Sequence, residues 1–248
     1  GGMVVAFSGG VDSTLLAHVA VEVLGERALL VTATSPIFPE HELREAQESA
    51  QRLGARHRLV PFAATETPGF TDNPPDRCYH CKKALFGMLL RMAEEENCAV
   101  VFDGTNADDP GDYRPGLKAL EDLNVISPLR EAELTKDEIR ALSRQYGLPT
   151  ADKPSCACLA SRFPYGEEIA GTKLERVGRA EKGLRDMGFS QFRVRSHGDL
   201  ARIELAESEM AKGWESRARL LQVCRDAGFV FVSLDLQGYR TGAMNETL

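Results

Sequence analysis

The sequence predicts an α/β protein: a doubly wound parallel sheet followed by a small C-terminal α+β domain. Three observations carry this expectation. Short apolar runs alternate with segments of helical period along the first part of the chain, the pattern of parallel strands joined by crossover helices. A Gly-rich turn separates the first apolar run from the first helix, as in folds that bind anions at the ends of their strands. Beyond residue 166 the pattern changes to alternating strands between helices, and a chain of 248 residues has room for one large and one small unit.

The elements follow in order. Met3 to Phe7 is a buried-type strand, and Ser13 to Leu24 is a helix. Ala28 to Ala33 is the second strand, followed by a loop containing Pro. Glu40 to Leu53 carries apolar residues at helical spacing and is stopped by Gly54, and Arg58 to Phe62 is a short strand. Residues 64 to 77 are a loop dense in Thr, Pro and Asp; Lys82 to Glu96 is helical, and Ala99 to Phe102 is another buried strand. Thr135 to Tyr146 is a helix with a capping box, Thr135 as N-cap and Glu138 three residues on, closed by Gly147 and Pro149. A loop from Ala151 to Gly166 leads out of the larger domain (1–165) into the smaller (166–248). There the expected order is a helix (Thr172 to Met187), two alternating strands (Phe192 to Arg195 and Ala201 to Leu205), a helix from about Glu207 to Ala227, and a strand from Phe229 to Leu234.

Composition narrows the function classes. The net charge of −7 argues against an extended nucleic-acid footprint, although a local basic cluster could hold one small phosphorylated molecule. No apolar run reaches the roughly 18 residues of a membrane span, and the immediate strand leaves no room for a signal peptide, so a cytoplasmic protein is expected. Four of the six cysteines fall in two close pairs, Cys78 with Cys81 and Cys156 with Cys158, which points to metal or thiol chemistry rather than a disulfide framework. Cys98 and Cys224 border or sit within apolar elements and read as small buried hydrophobes.

Ser8-Gly9-Gly10-Val11-Asp12-Ser13, between a strand and a helix, is built for an oxyanion. The glycines let the backbone approach closely, and the unpaired N–H groups of the helix start favour negative charge. The alternative is a tight turn capped by Asp12. No Lys follows the glycines and the third Gly of a dinucleotide fingerprint is absent. The segment resembles the PP-loop of the N-type ATP pyrophosphatases, whose fold is adenine nucleotide alpha hydrolase-like. That resemblance implies cleavage of ATP between its α and β phosphates, with transfer of AMP to an acceptor. It places Ser8, Gly9, Gly10, Asp12 and Ser13 at pyrophosphate, Asp12 at Mg²⁺, and Thr34 and Ser35 at adenine.

Cys78-x-x-Cys81 stands at the start of a helix, where a thiol is acidified and two thiolates can reach one metal. Downstream come Asp103-Gly104-Thr105-Asn106, Asp112 to Gly116, Ser161-Arg162-Phe163-Pro164-Tyr165-Gly166, Arg193 to His197, Ala201 to Glu204 and Asp235 to Arg240. In this order they resemble the LarE family of sulfur-insertion proteins over nearly the full length. The resemblance implies that a carboxylate of pyridinium-3,5-biscarboxylic acid mononucleotide is adenylylated and converted to a thiocarboxylate. The sulfur would come from a sacrificed cysteine or from a [4Fe–4S] cluster on three cysteines. Cys78, Cys81 and a third thiol, Cys158 with Cys156 as the alternative, favour the cluster.

Arg193 and Arg195 alternate on one strand and so leave the same face, while Arg202 lies on the next strand. Paired guanidinium groups suit a phosphate, here the mononucleotide's; the alternative is pairing with Glu204. Gly104 is grouped with the nucleotide contacts. Arg114, Ser161 and Arg162 are placed beside the activated carboxylate and Asp235 and Arg240 at the last strand end, with a structural salt bridge as the alternative for these loop residues, and His197 in a local hydrogen bond. The family also implies a homo-oligomer. The competing functions are a tRNA thiolase or amidotransferase-type enzyme and a non-catalytic ATP sensor.

Overall fold

The computed structural model describes residues 1–109, 115–240, 242, 243 and 245. They group into two compact units, Gly1–Pro68 with Asp76–Cys156, and Gly69–Pro75 with Ala157–Leu248. The division falls after Cys156 rather than after residue 165, because the turn Leu159–Arg162 sends a buried guanidinium into the second unit.

The first unit contains β1 (Gly2–Ala6), α1 (Val11–Leu24), β2 (Ala28–Thr34), α2 (Glu40–Arg52), β3 (Arg56–Pro61), α3 (Arg77–Glu95), β4 (Cys98–Phe102), α4 (Pro115–Asp122), α5 (Pro128–Glu131) and α6 (Lys136–Gln145). Its four strands are parallel in the order β3-β2-β1-β4. The inner strands β1 and β2 are buried on both faces, and successive residues of one strand enter different cores. Val5 and Leu30 pack with Leu15, Leu16 and Ile139, whereas Val4, Leu29 and Val31 pack with Phe86, Leu89 and Val101. One core is thus closed by α1 and α6 and the other by α3, which is what doubly wound means physically. The sequence had not marked α4 and α5, which are short, and α3 starts five residues earlier than expected, in what read as loop.

The second unit contains α7 (Gly171–Asp186), β5 (Phe192–His197), β6 (Leu200–Leu205), α8 (Met210–Glu215), α9 (Arg217–Asp226) and β7 (Phe231–Leu234). β6 is central, antiparallel to β5 and parallel to β7. Leu174, Val177, Ala180 and Leu184 form the buried stripe of α7. The single helix expected from Glu207 to Ala227 is broken at Ser216, whose φ of −89° and ψ of 8° leave the helical well. β7 begins two residues later than expected, since Val230 and Phe231 both donate their amides to the Asp199 carbonyl first. Among the described residues no helix is long and apolar enough to cross a membrane.

Candidate active site

The phosphate loop leaves β1 through Phe7, whose amide donates to Val31 O, and turns into α1 at Gly10. Gly10 has extended backbone and gives α1 no side-chain cap, so the first amides of the helix face the loop's concavity with the positive end of the dipole behind them. Ser13 Oγ folds back to Gly10 O at 3.3 Å and meets Ser8 Oγ at 3.1 Å, which keeps the two hydroxyls together. The two glycines have different reasons to be there. Gly9 has φ +70°, and a Cβ there would lie 2.7 Å from the Cα of Ala46 in α2. A Cβ at Gly10 would meet only Ser8 Oγ, at 3.4 Å, so that position keeps open the space an oxyanion would use.

Asp12 is gripped from the opposite side of the loop. Lys136, the first residue of α6, reaches its two carboxylate oxygens at 2.7 and 2.5 Å, and Asn106 Nδ2 donates to it at 3.0 Å. Lys136 is itself positioned by the N-terminus of α6. The Thr135 hydroxyl accepts from Glu138 N, the Glu138 carboxylate accepts from Thr135 N, and Asp108 accepts from Lys136 N at 2.7 Å. Asn106 is held by its neighbours, its amide donating to Asp109 Oδ2 at 2.9 Å and its Oδ1 accepting from Asp108 N at 3.0 Å, while the buried Asp103 carboxylate accepts from the Thr105 and Ser127 hydroxyls at 2.5 Å each. Gly104 between them lets this segment lie against the start of α1, since a Cβ there would be 3.1 Å from Ser13 N. Its contact is with the loop itself.

At the end of β2, Thr34 Oγ1 donates to Val60 O at 3.3 Å, while the buried Ser35 Oγ has no partner among the described residues. Nearby, Thr32 Oγ1 donates to Phe7 O at 2.6 Å and His57 Nε2 lies 2.8 Å from the same hydroxyl. The hydroxyl has one proton, so His57 is the donor to it, and burial pushes the His57 imidazole towards the neutral form.

A second charged knot lies under Gly9. Lys153 donates to Gly9 O at 3.0 Å and pairs with Glu42 and Glu45, each at 2.8 Å. Burial alone would raise the Glu42 carboxyl, but hydrogen bonds from His41 and Lys153 outweigh it and hold it down to about 2. Burial works against the Lys153 ammonium, yet the two glutamates raise it above its ordinary value.

Cys78 stands in the first turn of α3 and is exposed, and Cys81 opens the second turn and is half-buried. Cys156 is exposed at the end of the first unit, and the half-buried Cys158 opens the turn Leu159–Arg162 in the second. Cys224 is buried, and that burial pushes its thiol up to about 12; Cys98 is half-buried and likewise raised, by burial and Glu96.

In the second unit Arg162 and Arg195 are committed inward, which is the alternative of carboxylate pairing for each. Arg162, 1% exposed, makes a bidentate pair with Glu181 at 2.8 and 2.9 Å, and its Nη1 donates to Ala157 O, Cys158 O and Ser161 Oγ. Burial would raise the Glu181 carboxyl, but Arg162 overrides it and holds it below the usual carboxylate range. Arg195, 5% exposed, pairs bidentately with Glu204 at 2.9 and 2.8 Å and donates to Ser161 O at 2.8 Å. Neither guanidinium is left for a substrate phosphate or carboxylate, because a buried cation needs its own anion. Ser161 is part of the same fastening, with Oγ donating to Cys158 O at 2.8 Å.

Arg193 is less enclosed than Arg195. It donates to Phe192 O at 2.7 Å and lies over the Tyr239 ring, 4.9 Å from its centre. Arg202 pairs with Asp235 and, at 3.3 Å, with Glu204, and its Nε donates to His197 Nε2 at 3.2 Å. His197 must then be neutral at Nε2, in keeping with burial and Arg202 lowering its pKa. Arg240 donates to Gln237 Oε1 at 2.6 Å. Arg114 lies outside the described residues.

Sequence reasoning missed Lys136, Asn106 and Lys153. The capping box had already marked where α6 begins, so Lys136 was visible as its first residue. Its reach to Asp12 appears only once the fold brings α6 beside α1.

Residues 1–75 match the NAD synthase family. An uncharacterised protein of Synechocystis sp. is 47% identical over 98% of this chain and 92% of its own length. The pyridinium-3,5-bisthiocarboxylic acid mononucleotide synthase of Lactiplantibacillus plantarum is 39% identical over 98% of this chain and 89% of its own. More distantly, an uncharacterised protein of Methanocaldococcus jannaschii is 30% identical over 96% of this chain and 91% of its own.

Proposed function

Because the chain belongs to the LarE family of pyridinium-3,5-bisthiocarboxylic acid mononucleotide synthases, we propose that it performs ATP-dependent sulfur insertion. A carboxylate of pyridinium-3,5-biscarboxylic acid mononucleotide attacks the α phosphorus of ATP, and pyrophosphate leaves. A sulfur nucleophile then attacks the acyl carbon, AMP leaves, and a thiocarboxylate remains. Activation is required because a free carboxylate is a poor electrophile and AMP is a good leaving group.

The observation that carries this reading is the uncapped start of α1 with Asp12 held between Lys136 and Asn106. The amides of the loop bind the phosphates, and the Ser8 and Ser13 hydroxyls orient them. Asp12 is the residue that would hold Mg²⁺, which supplies charge neutralisation at the departing pyrophosphate. Lys136 brings a further positive charge to the same place, and Ser35 with Thr34 receives the adenine.

For the sulfur donor the reading is a [4Fe–4S] cluster on Cys78, Cys81 and Cys158, which when bound would supply a sulfide from its open iron. Support comes from the Cys78-x-x-Cys81 spacing at the start of α3, which lets two thiolates reach one metal. Arg193 is read as the arginine that meets the mononucleotide phosphate, with Arg202 and Arg240 as further candidates. The protein is read as cytoplasmic, acting on a small molecule with no nucleic acid or membrane partner, and as a homo-oligomer. Val230, Phe231 and Leu236, exposed at 53%, 64% and 91% around the edge strand β7, favour self-association.

Incubation with ATP, Mg²⁺, the biscarboxylate and a sulfide source should give AMP, pyrophosphate and a product heavier by the exchange of oxygen for sulfur. AMP formation without any sulfur gain would reject sulfur insertion. Anaerobic reconstitution should load about four iron per chain; a cysteine that loses one sulfur mass during turnover would instead identify the sacrificial route.

A further inference from the structure

When Cys158 completes the three-cysteine set, Cys156 is not used by it, and Cys156 has two chemically suited neighbours. Ligand atoms of His41, Glu42 and Cys156 all lie within 4.8 Å of one another. We propose that these three residues hold a divalent transition-metal ion of the zinc type, with a fourth coordination position open.

The geometry is close to that of a formed site. His41 Nε2 and Glu42 Oε1 are 3.3 Å apart. That is the edge of a tetrahedron with bonds of about 2.0–2.1 Å, the usual zinc distances to imidazole and carboxylate. Both residues sit in the first turn of α2 and are half-buried, so the imidazole and carboxylate are presented by a rigid element. The thiol comes from the exposed segment just after Lys153, with its Sγ within 4.8 Å of the other two ligand atoms.

What anchors the loop is Lys153, three residues before Cys156. Its ammonium pairs with Glu42 Oε2, Glu45 Oε2 and Gly9 O. Glu42 therefore has one oxygen facing His41 and the other bound by a cation. A monodentate metal carboxylate takes that arrangement, its second oxygen held by an outer hydrogen bond. The same ion pairs bring the Cys156 loop to α2, so the anchor and the ligand belong to one device.

One imidazole, one carboxylate and one thiolate select zinc, cobalt or ferrous iron over magnesium or calcium, so this ion is distinct from the one that accompanies ATP. Three protein ligands leave a position for water or for a hydrosulfide, as in catalytic rather than structural zinc sites. The inference does not rest on sulfur insertion. Metal uptake can be measured with neither ATP nor mononucleotide present, so either claim can fail alone.

Co²⁺ is the probe. The full chain, reduced and freed of metal with a chelator, is titrated with Co²⁺ while the thiolate-to-cobalt band in the near ultraviolet is followed and bound cobalt is counted by dialysis. C156S should bind one cobalt fewer than the parent and lose that part of the band. H41Q and E42Q should weaken that same equivalent at least about tenfold, and K153M, which removes both the outer contact and the anchor of the Cys156 loop, about ten- to a hundredfold. Circular dichroism of each variant establishes that it is folded, and because the three ligands come from two segments, agreement among C156S, H41Q and E42Q excludes a local folding defect. Unchanged cobalt stoichiometry and spectrum in C156S would overturn the proposal. So would a parent protein in which His41 speeds alkylation of Cys156 while no cobalt is taken up, the behaviour of a thiol–imidazole pair without a metal.

Discussion

The phosphate loop of the first unit and the arginines of the second are both dense in charge, but they dispose of it differently. Around the loop the first amides of α1 have no side-chain cap, and the side chains near them, Asp12 with Lys136 and Lys153 with Glu42, stay within reach of solvent. In the second unit Arg162 and Arg195 are enclosed, and each is matched to one carboxylate. An arginine beside a loop motif therefore says little about ligands until its burial is known. A buried guanidinium with a bidentate carboxylate has already spent its directional donors, and a half-exposed one has not.

The widest test of this contrast is removal of an enclosed arginine. R162A should cost about 3–5 kcal/mol of stability, because it strands the Glu181 carboxylate in an apolar site. Replacing both partners with apolar residues, R162M with E181L, should restore most of it, as read by urea unfolding. The parent should also lose stability in acid. Glu181 is held below its ordinary range, so its contribution is complete above the unfolded carboxylate pKa and disappears as pH falls through the lower folded value. The double variant should lack that component. Retained stability in R162A would mean that the guanidinium is available to a ligand after all.

The corresponding change in the loop should leave the fold alone and stop the chemistry. D12N keeps the shape of the side chain but removes the charge that Lys136 and Asn106 surround. Pyrophosphate release should fall about a hundredfold while the unfolding midpoint changes little. If D12N instead unfolds the protein, Asp12 belongs with the enclosed pairs.

Much of this division was legible in the sequence, for identifiable reasons. The parallel sheet could be read because Val4, Val5, Leu29 and Leu30 are apolar on both faces, and α6 because its cap is written within four residues. The loop could be read because its function depends on backbone shape, which glycines reveal. Arg162 and Arg195 could not, since their partners Glu181 and Glu204 are named only by how α7, β5 and β6 pack. Lys136 and Lys153 were hidden in the same way, each lying more than a hundred residues from the loop it supports.

Glycines sharpen the comparison at lower cost. G9A forces an L-residue to φ +70° and drives its Cβ into the backbone of Ala46, so both strain and collision act. G147A has nearly the same φ, +66°, and open space around it. The strain alone is about 1–2 kcal/mol. G147A should therefore lose about that much and keep full activity, whereas G9A should lose more and fail to bind ATP, measured by thermal unfolding and nucleotide titration.

The smallest effect probes how the fold reaches the site. T135A removes the hydroxyl that accepts from Glu138 N and should cost about 1 kcal/mol, the usual worth of an N-cap. Such a loss at an ordinary surface helix would have no consequence for catalysis. Here the next residue is Lys136, and its amide, bound by Asp108, and its ammonium, on Asp12, both depend on where the first turn of α6 lies. Fraying of that turn should raise the KM for ATP a few-fold while kcat changes less, because Lys136 is fully engaged again once the nucleotide has organised the loop. T135S, which keeps the hydroxyl, should restore both stability and KM. If T135A loses stability with KM unaltered, Lys136 is held by Asp12 itself and the cap serves only the helix.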